Sequence, residues 1–308
     1  MIQVNGLTKR FGGLTAVNDL TFSVERGDAL GFIGPNGAGK TTTIRMLATL
    51  LRPDSGTALI NGHDVLKEPE KVRACVGYMP DFFGVYDDMK VSEYLDFFAA
   101  AYRVPPSDRP GLIDDVLQLT DLTAKRNEYV DALSRGMKQR LCLAKTLVHD
   151  PEVLLLDEPA SGLDPRARIE IRELLKELCA MEKTILISSH ILTELADLCN
   201  KVVIIEQGKL VYAGSPKEVA AQLEGGRRIV VKVQERSDEA CSILAKCENV
   251  VSSEIVEGAI HAVYTGDPSA QHELLLALVN GGFVVQSFSE QEVNLEEVYM
   301  RLTRGIVS

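Results

Sequence analysis

Residues 34–41 read Gly34-Pro35-Asn36-Gly37-Ala38-Gly39-Lys40-Thr41, a glycine-rich run closed by a lysine and a threonine. Before it, Ala29-Leu30-Gly31-Phe32-Ile33 is apolar throughout and follows Gly27-Asp28, the pattern of a buried strand. After it, Thr42 to Leu51 contains neither Gly nor Pro and reads as a helix. In a strand–loop–helix setting the glycines let backbone N–H groups turn inward on phosphate oxygens, and the helix N-terminus adds a favourable dipole. Lys40 then reaches the β- and γ-phosphates, and the Thr41 hydroxyl is offered to Mg²⁺. The stretch predicts a nucleoside triphosphate site in an α/β fold.

A second segment completes the chemistry. Leu154-Leu155-Leu156-Asp157-Glu158-Pro159 is an apolar strand ending in two adjacent carboxylates. The carboxyl end of a strand in a parallel sheet faces the crevice where ligands bind. Asp157 suits Mg²⁺, which prefers hard anionic oxygens, and Glu158 is placed to orient or deprotonate an attacking water.

Working outward, Leu20, Phe22 and Val24 alternate with Thr21, Ser23 and Glu25, which predicts a half-buried strand in an antiparallel layer beside the nucleotide. Thr57–Ile60 before Asn61-Gly62 predicts a short strand ending in a turn. From about Val91 to His149 the pattern is helical, broken at Pro105-Pro106-Ser107-Asp108. Ile171, Leu174, Leu175 and Leu178 make 166–180 an amphipathic helix, and Thr184–Ser188 and Lys201–Glu206 read as buried strands. Strands alternating with helices indicate a mainly parallel sheet covered on both faces.

Composition changes near Gly225-Gly226. Beyond it the order is βαββαβ plus a helix, a small split-βαβ sandwich of ferredoxin-like type. Its second helix is expected to start at Asp267-Pro268, its last strand to span Phe283–Phe288, and Asn294-x-x-Glu297 to cap the closing helix. The division expected is 1–224, with a helical subdomain at about 85–150, and 227–308. His261 and His272 have no cysteine or carboxylate at ligand spacing, so the second domain carries no catalytic cluster.

Composition bounds the function. The 308 residues favour two domains, and the net charge of −11 (33 basic against 44 acidic residues) argues against a nucleic-acid-binding surface. No apolar run approaches the ~20 residues of a membrane span, and Met1–Asn5 show no secretory signal. Six cysteines without a C-x-x-C pair read as buried reduced thiols, so cytosolic residence is expected, with any membrane connection made through a partner.

Taken together these motifs resemble the nucleotide-binding subunits of ABC (ATP-binding cassette) transporters over roughly residues 1 to 220. Leu133-Ser134-Arg135-Gly136-Met137-Lys138-Gln139-Arg140 looks like the family's signature sequence, Ser161-Gly162-Leu163-Asp164 occupies the D-loop position, and Ser188-Ser189-His190 matches the switch histidine. Phe11 matches the aromatic that stacks on adenine, with Val17 nearby. The resemblance implies a P-loop NTPase cassette, ATP held by Phe11, Val17, residues Gly34 to Thr42, Ser134 and Gly136, and hydrolysis through Glu158 and His190. It implies Mg²⁺ at Thr41, Asp157 and, where the family has glutamine, Asp81; that aspartate is alternatively an N-cap or turn acid. It also implies a head-to-tail dimer, because each chain carries one phosphate loop and Ser134 and Gly136 serve the nucleotide of the other copy.

Two further departures leave alternatives open. Arg135 replaces the signature's first glycine and either aids phosphate binding or lies on a solvated face; Met137 replaces its glutamine. Phe82-Phe83-Gly84-Val85-Tyr86 either receives a coupling helix of a membrane subunit or fills the helical subdomain's core. Residues 227–308 resemble the extension of cassettes that pair with ABC-2-type exporter permeases, and Glu296 to Thr303 resembles its closing segment. The reading is an ATPase subunit energising export from the inner face of the cell membrane; an importer cassette and a non-transport cassette are the alternatives.

Overall fold

The computed structural model describes residues 1–81, 84, 86, 88–189, 195, 198–216, 218 and 226–290. It divides into two compact units, with the boundary along the chain between Ala213 and Gly214. In chain order the first contains β1 (Ile2–Phe11), β2 (Leu14–Val24), β3 (Ala29–Ile33), α1 (Lys40–Leu47), β4 (Ser55–Ile60), β5 (His63–Asp64), α2 (Pro69–Cys75) and β6 (Val76–Met79). There follow α3 (Val91–Ala101), α4 (Arg109–Leu119), α5 (Arg135–Leu147), β7 (Val153–Asp157), α6 (Pro165–Ala180), β8 (Thr184–Ser189), β9 (Lys201–Glu206) and β10 (Lys209–Gly214).

The central sheet has the order β10-β9-β3-β8-β7-β6, with β9, β3, β8, β7 and β6 paired in parallel. Every residue of β3, β7 and β8 is buried. A strand covered on both faces has no solvent side, which is why β3 and β7 read as apolar runs, while β8 buries Thr184, Ser188 and Ser189 beside its apolar centre. The antiparallel layer, β2-β1-β4-β5, obeys the opposite rule: Leu20, Phe22 and Val24 are buried while Thr21 and Ser23 are exposed. One hydrophobic core joins the two sheets, taking Leu20 and Phe22 from the layer and Phe32, Leu155 and Val203 from the parallel strands.

Helices α3, α4 and α5 form the helical subdomain. Helix α6 is capped by Asp164, whose Oδ1 accepts from Arg166 N and Ala167 N at 3.0 Å each, with Pro165 as its first residue. Such a cap contributes roughly 1 kcal/mol, and proline at that position loses no hydrogen bond. Its buried face, Ile171, Leu174, Leu175 and Leu178, is the one the periodicity predicts.

The second unit runs β11 (Arg227–Val233), α7 (Ser237–Leu244), β12 (Val250–Val256), β13 (Ala259–Tyr264), α8 (His272–Asn280) and β14 (Val285–Glu290). Its sheet order is β12-β13-β11-β14 with antiparallel pairs throughout, the split-βαβ arrangement. Its own core joins Ile229, Val231, Ile260 and Tyr264 to Leu244, Leu274 and Leu278. Two expected boundaries are corrected. Asp267 caps a 3₁₀ turn at Pro268–Ala270, its Oδ1 accepting from Ser269 N at 2.8 Å, and α8 begins only at His272. The last strand starts at Val285 because Phe283 is drawn into the core ahead of it. The expected closing helix lies outside the described residues.

Candidate functional site

The loop from Gly34 to Gly39 leaves β3 at its carboxyl end and feeds straight into α1. Gly39 has φ 102°, and a Cβ there would come within 2.5 Å of the Ala16 carbonyl oxygen, so only glycine lets the loop lie against β2. Ala38 N donates to Pro35 O at 3.1 Å, closing the turn. The Lys40 side chain is folded inward: Nζ donates to Gly34 O at 2.7 Å and to Pro35 O at 3.3 Å, and stands 3.6 Å from Glu158 Oε1. Burial pulls the Lys40 ammonium below the usual lysine range, opposed by the charges of Glu158 and Asp157.

Asp157, the last residue of β7, is fully buried. Its Oδ1 accepts from Ser188 Oγ at 2.5 Å, while Oδ2 is buried with no hydrogen-bond partner. Burial pushes its carboxyl up, against the Ser188 hydrogen bond and the neighbouring Thr41 hydroxyl, which favour the anion. A buried carboxylate with one orphaned oxygen calls for a cation. Among the described residues no three His, Cys, Asp or Glu side chains gather into a metal site by themselves. One carboxylate beside one hydroxyl is the sparse protein set of Mg²⁺, whose other ligands are phosphate and water oxygens, so these residues fit that ion.

Glu158 turns out of the strand in the left-handed region, φ 52°, a conformation costly for a non-glycine residue. Its N–H is held by Ser188 Oγ at 3.0 Å and Ser188 O at 3.1 Å. Ser188 therefore bridges both carboxylate residues through one hydroxyl. No signal beyond its place in Ser188-Ser189-His190 marked it for this role.

A cleft of about 510 Å³ opens over these groups. Pro35, Asn36, Gly37, Gly39, Lys40, Thr41, Thr42, Asp81 and Glu158 line it, together with Phe11, Leu14, Ala16 and Ser161. Phe11 is 48% exposed, with Lys9 Nζ 5.5 Å from its ring centroid, so its face is open to a second ring. Val17 is placed differently from Phe11. It is 1% exposed and packs under Gly39, while Ala16 lines the cleft and Leu14 stands 66% exposed beside it. Ala38 is likewise buried, and Gly34 lies beneath the lining. Asp81 is half exposed, 4.0 Å from Arg45 Nη2 of α1, and its charge contributes to raising Asp157.

Ser134 and Gly136 stand outside this lining, at the N-terminus of α5. Ser134 Oγ accepts from Met137 N at 3.3 Å and is exposed. The described residues include neither His190 nor Phe82 and Phe83.

Comparison with known proteins agrees with this geometry. A family model described as ABC transporter matches residues 17–161. The chain is 35% identical over 98% of its length, and 94% of the relative's, to a protein of Ralstonia nicotianae named Nod factor export ATP-binding protein I. It is 32% identical over 98% of its length, and 95% of the relative's, to daunorubicin resistance ATP-binding protein DrrA3 of Streptomyces coeruleorubidus. A solved structure described as the ATP binding subunit of an ABC transporter superposes on 72% of this chain and 93% of its own, with TM-score 0.66 and 30% identity.

Proposed function

The chain belongs to the ATP-binding subunits of ABC transporters and is an ATPase of that family, and from this premise we propose that it powers export through a separate permease of the ABC-2 type. The observation that carries the reading is the convergence of Lys40, Thr41 and Glu158 on one cleft, with Asp157 buried beside Thr41, while Ser134 and Gly136 stand apart from it. Half of the site is thus supplied by a second copy, packed head to tail. The names of the relatives favour export over import: one is a Nod factor export protein and one a daunorubicin resistance protein.

In this reading ATP is the substrate. Its adenine stacks on Phe11, with Leu14 as a neighbouring apolar wall, and its phosphates lie on the loop's N–H groups and on Lys40, relieving a cation that otherwise rests on two carbonyls. Asp157 and Thr41 would hold Mg²⁺, with Asp81 beside them, and the bound ion would supply neutralisation of the phosphate charge. Glu158 orients and deprotonates the attacking water, helped by His190. Ser134 and the Gly136 backbone of the second copy close on the γ-phosphate, using the N-terminus of α5. ATP binds the closed pair better than the open one, and its hydrolysis removes that difference.

Among the described residues no helix is long and apolar enough to cross a membrane. We place the chain at the inner membrane face, held by its permease. An aromatic patch on the helical subdomain is the candidate contact. Tyr86 and Phe97 are 54% and 47% exposed, their ring centroids 5.7 Å apart, and both rest on the Tyr94–Phe98 pair. Exposed rings seated on a buried Tyr94 and a half-buried Phe98 are the make-up of an interface anchor. Replacing Tyr86 and Phe97 together by alanine is expected to lower transport about ten-fold or more with ATP binding intact. Parental transport by that variant removes the patch from the permease contact.

The raised Asp157 carboxyl has a consequence for stability. Between its ordinary value of 3.8 and its value in the fold, the folded chain holds a proton that the unfolded chain has lost. Stability therefore falls as pH rises through that window, and above it the buried carboxylate subtracts from stability. Asp157→Asn is expected to keep or raise Tm at neutral pH without nucleotide, while Mg²⁺ no longer strengthens ATP binding. Calorimetry, with ATP titrations in Mg²⁺ and in EDTA, checks both; a lowered Tm or a surviving Mg²⁺ effect refutes the assignment.

The whole function is tested by purification from membranes. A polytopic membrane protein is expected to come with the chain, and substrate efflux to stop in the Glu158→Gln variant. Recovery of ribosomes or DNA instead overturns the proposal.

A further inference from the structure

Helix α5 grips the loop after Glu158 at two points. The Gln139 side chain, buried to 2% exposure, donates through Nε2 to the Pro159 carbonyl. One turn earlier on the same face of the helix, the Arg135 guanidinium lies over Gly162, and a methyl group built on that glycine would overlap it. Gly162 itself is left-handed, φ 68°. Between the two grips, Ser161 N donates to Glu158 O at 3.0 Å, so the backbone that aims Glu158 is part of the same turn. Leu163, 5% exposed, and the Asp164 cap of α6 anchor its far end.

We propose that Arg135 is a positioning residue for hydrolysis: by covering Gly162 it holds the 158–163 turn against α5, and so sets the Glu158 carboxylate relative to Lys40 and Asp157. The proposal rests on Glu158 being the residue that orients the water. It assigns Arg135 a place inside its own subunit, where the two sequence-based alternatives were a phosphate contact and a solvated face. Residue 162 is glycine first because its backbone is left-handed, and a side chain there would also push the guanidinium aside. Gln139 supplies the buried half of the grip, and Arg135, on the exposed first turn of α5, the half that can be altered without disturbing the core.

The test is a kinetic cycle on the full-length chain. Arg135→Ala is expected to lower kcat for ATP about ten-fold with KM for ATP within about two-fold of the parent, because a small misplacement near the reacting group costs rate rather than binding. Gly162→Ala, which pushes the guanidinium aside, is expected to do the same. The double variant should fall no further than the worse single, since both remove one contact. In a Glu158→Gln background, Arg135→Ala should leave the residual rate unchanged. A parental kcat in Arg135→Ala, multiplying losses in the double variant, or a raised KM at unchanged kcat overturns the proposal, the last by making Arg135 a nucleotide contact. If Glu158→Gln itself turns over at the parental rate, it is the underlying reading of Glu158 that has failed.

Discussion

Glu158→Gln is expected to slow ATP turnover by about 10²–10⁴-fold while ATP binding persists, the usual cost of losing a general base. Glutamine preserves the length of the side chain and one carbonyl oxygen, so the left-handed turn and its bonds to Ser188 have no reason to change. What it removes is the anion 3.6 Å from Lys40 and the acceptor for the water's proton. Because binding survives and cleavage does not, the variant should accumulate in the ATP-bound closed form. Light scattering in Mg²⁺ and ATP is then expected to show twice the mass of one chain. Hydrolysis at the parental rate excludes Glu158 as the base. A single-chain mass with nucleotide trapped excludes the head-to-tail pair that Ser134 and Gly136 require.

Lys40→Met is expected to weaken ATP binding by about 10–100-fold, the cost of removing one or two charge-assisted hydrogen bonds to phosphate. Methionine keeps most of the buried volume and deletes the charge. Stability is expected to move the other way. Burial lowers the Lys40 ammonium from 10.5, so below that value the unfolded chain holds the proton more firmly than the fold does. A group of this sign subtracts stability throughout the pH range below its folded value, including neutral pH. The methionine variant should therefore match or exceed the parent's Tm without nucleotide and gain far less on adding ATP. Equal affinity in isothermal titration would show that the loop backbone alone holds the phosphates. Lys40 and Asp157 both accept a burial cost in the free protein that a phosphate or a cation repays, the trade expected where binding residues are held ready in a packed interior.

Much of the site was legible in the chain because its parts are contiguous. A strand, its loop and the next helix share one stretch of residues, so Gly34 to Thr42 and Leu154 to Glu158 carry their own geometry. Continuous apolar runs marked the central strands for the same local reason: burial on both faces leaves no polar side. The ends of the second unit's elements were less legible. The Asp267-Pro268 pair is a capping signal, and it caps a 3₁₀ turn as readily as an α-helix, since both need the same N–H acceptor.

Side-chain facing around the adenine end was not legible at all. Strand β1 pairs with β2 through register shifts between Val4 and Leu7, Leu7 and Lys9, and Lys9 and Arg10. Each shift of one residue exchanges the two faces of a strand. That is how Val17 comes to be buried under Gly39 while Leu14 and Ala16 face the cleft.

By itself, then, the order of residues determined the family, the cassette with its split-βαβ companion, and the phosphate loop with its two carboxylates, because each is a local pattern of spacing and polarity. Only the tertiary structure decided that Ser188 ties Asp157 to Glu158, that Arg135 lies over Gly162, and that Ser134 stands outside its own chain's cleft. Those contacts join residues about 30 positions apart in the chain. Such distances are closed by the packing of α5 and β8 around β7, which no single stretch of sequence specifies.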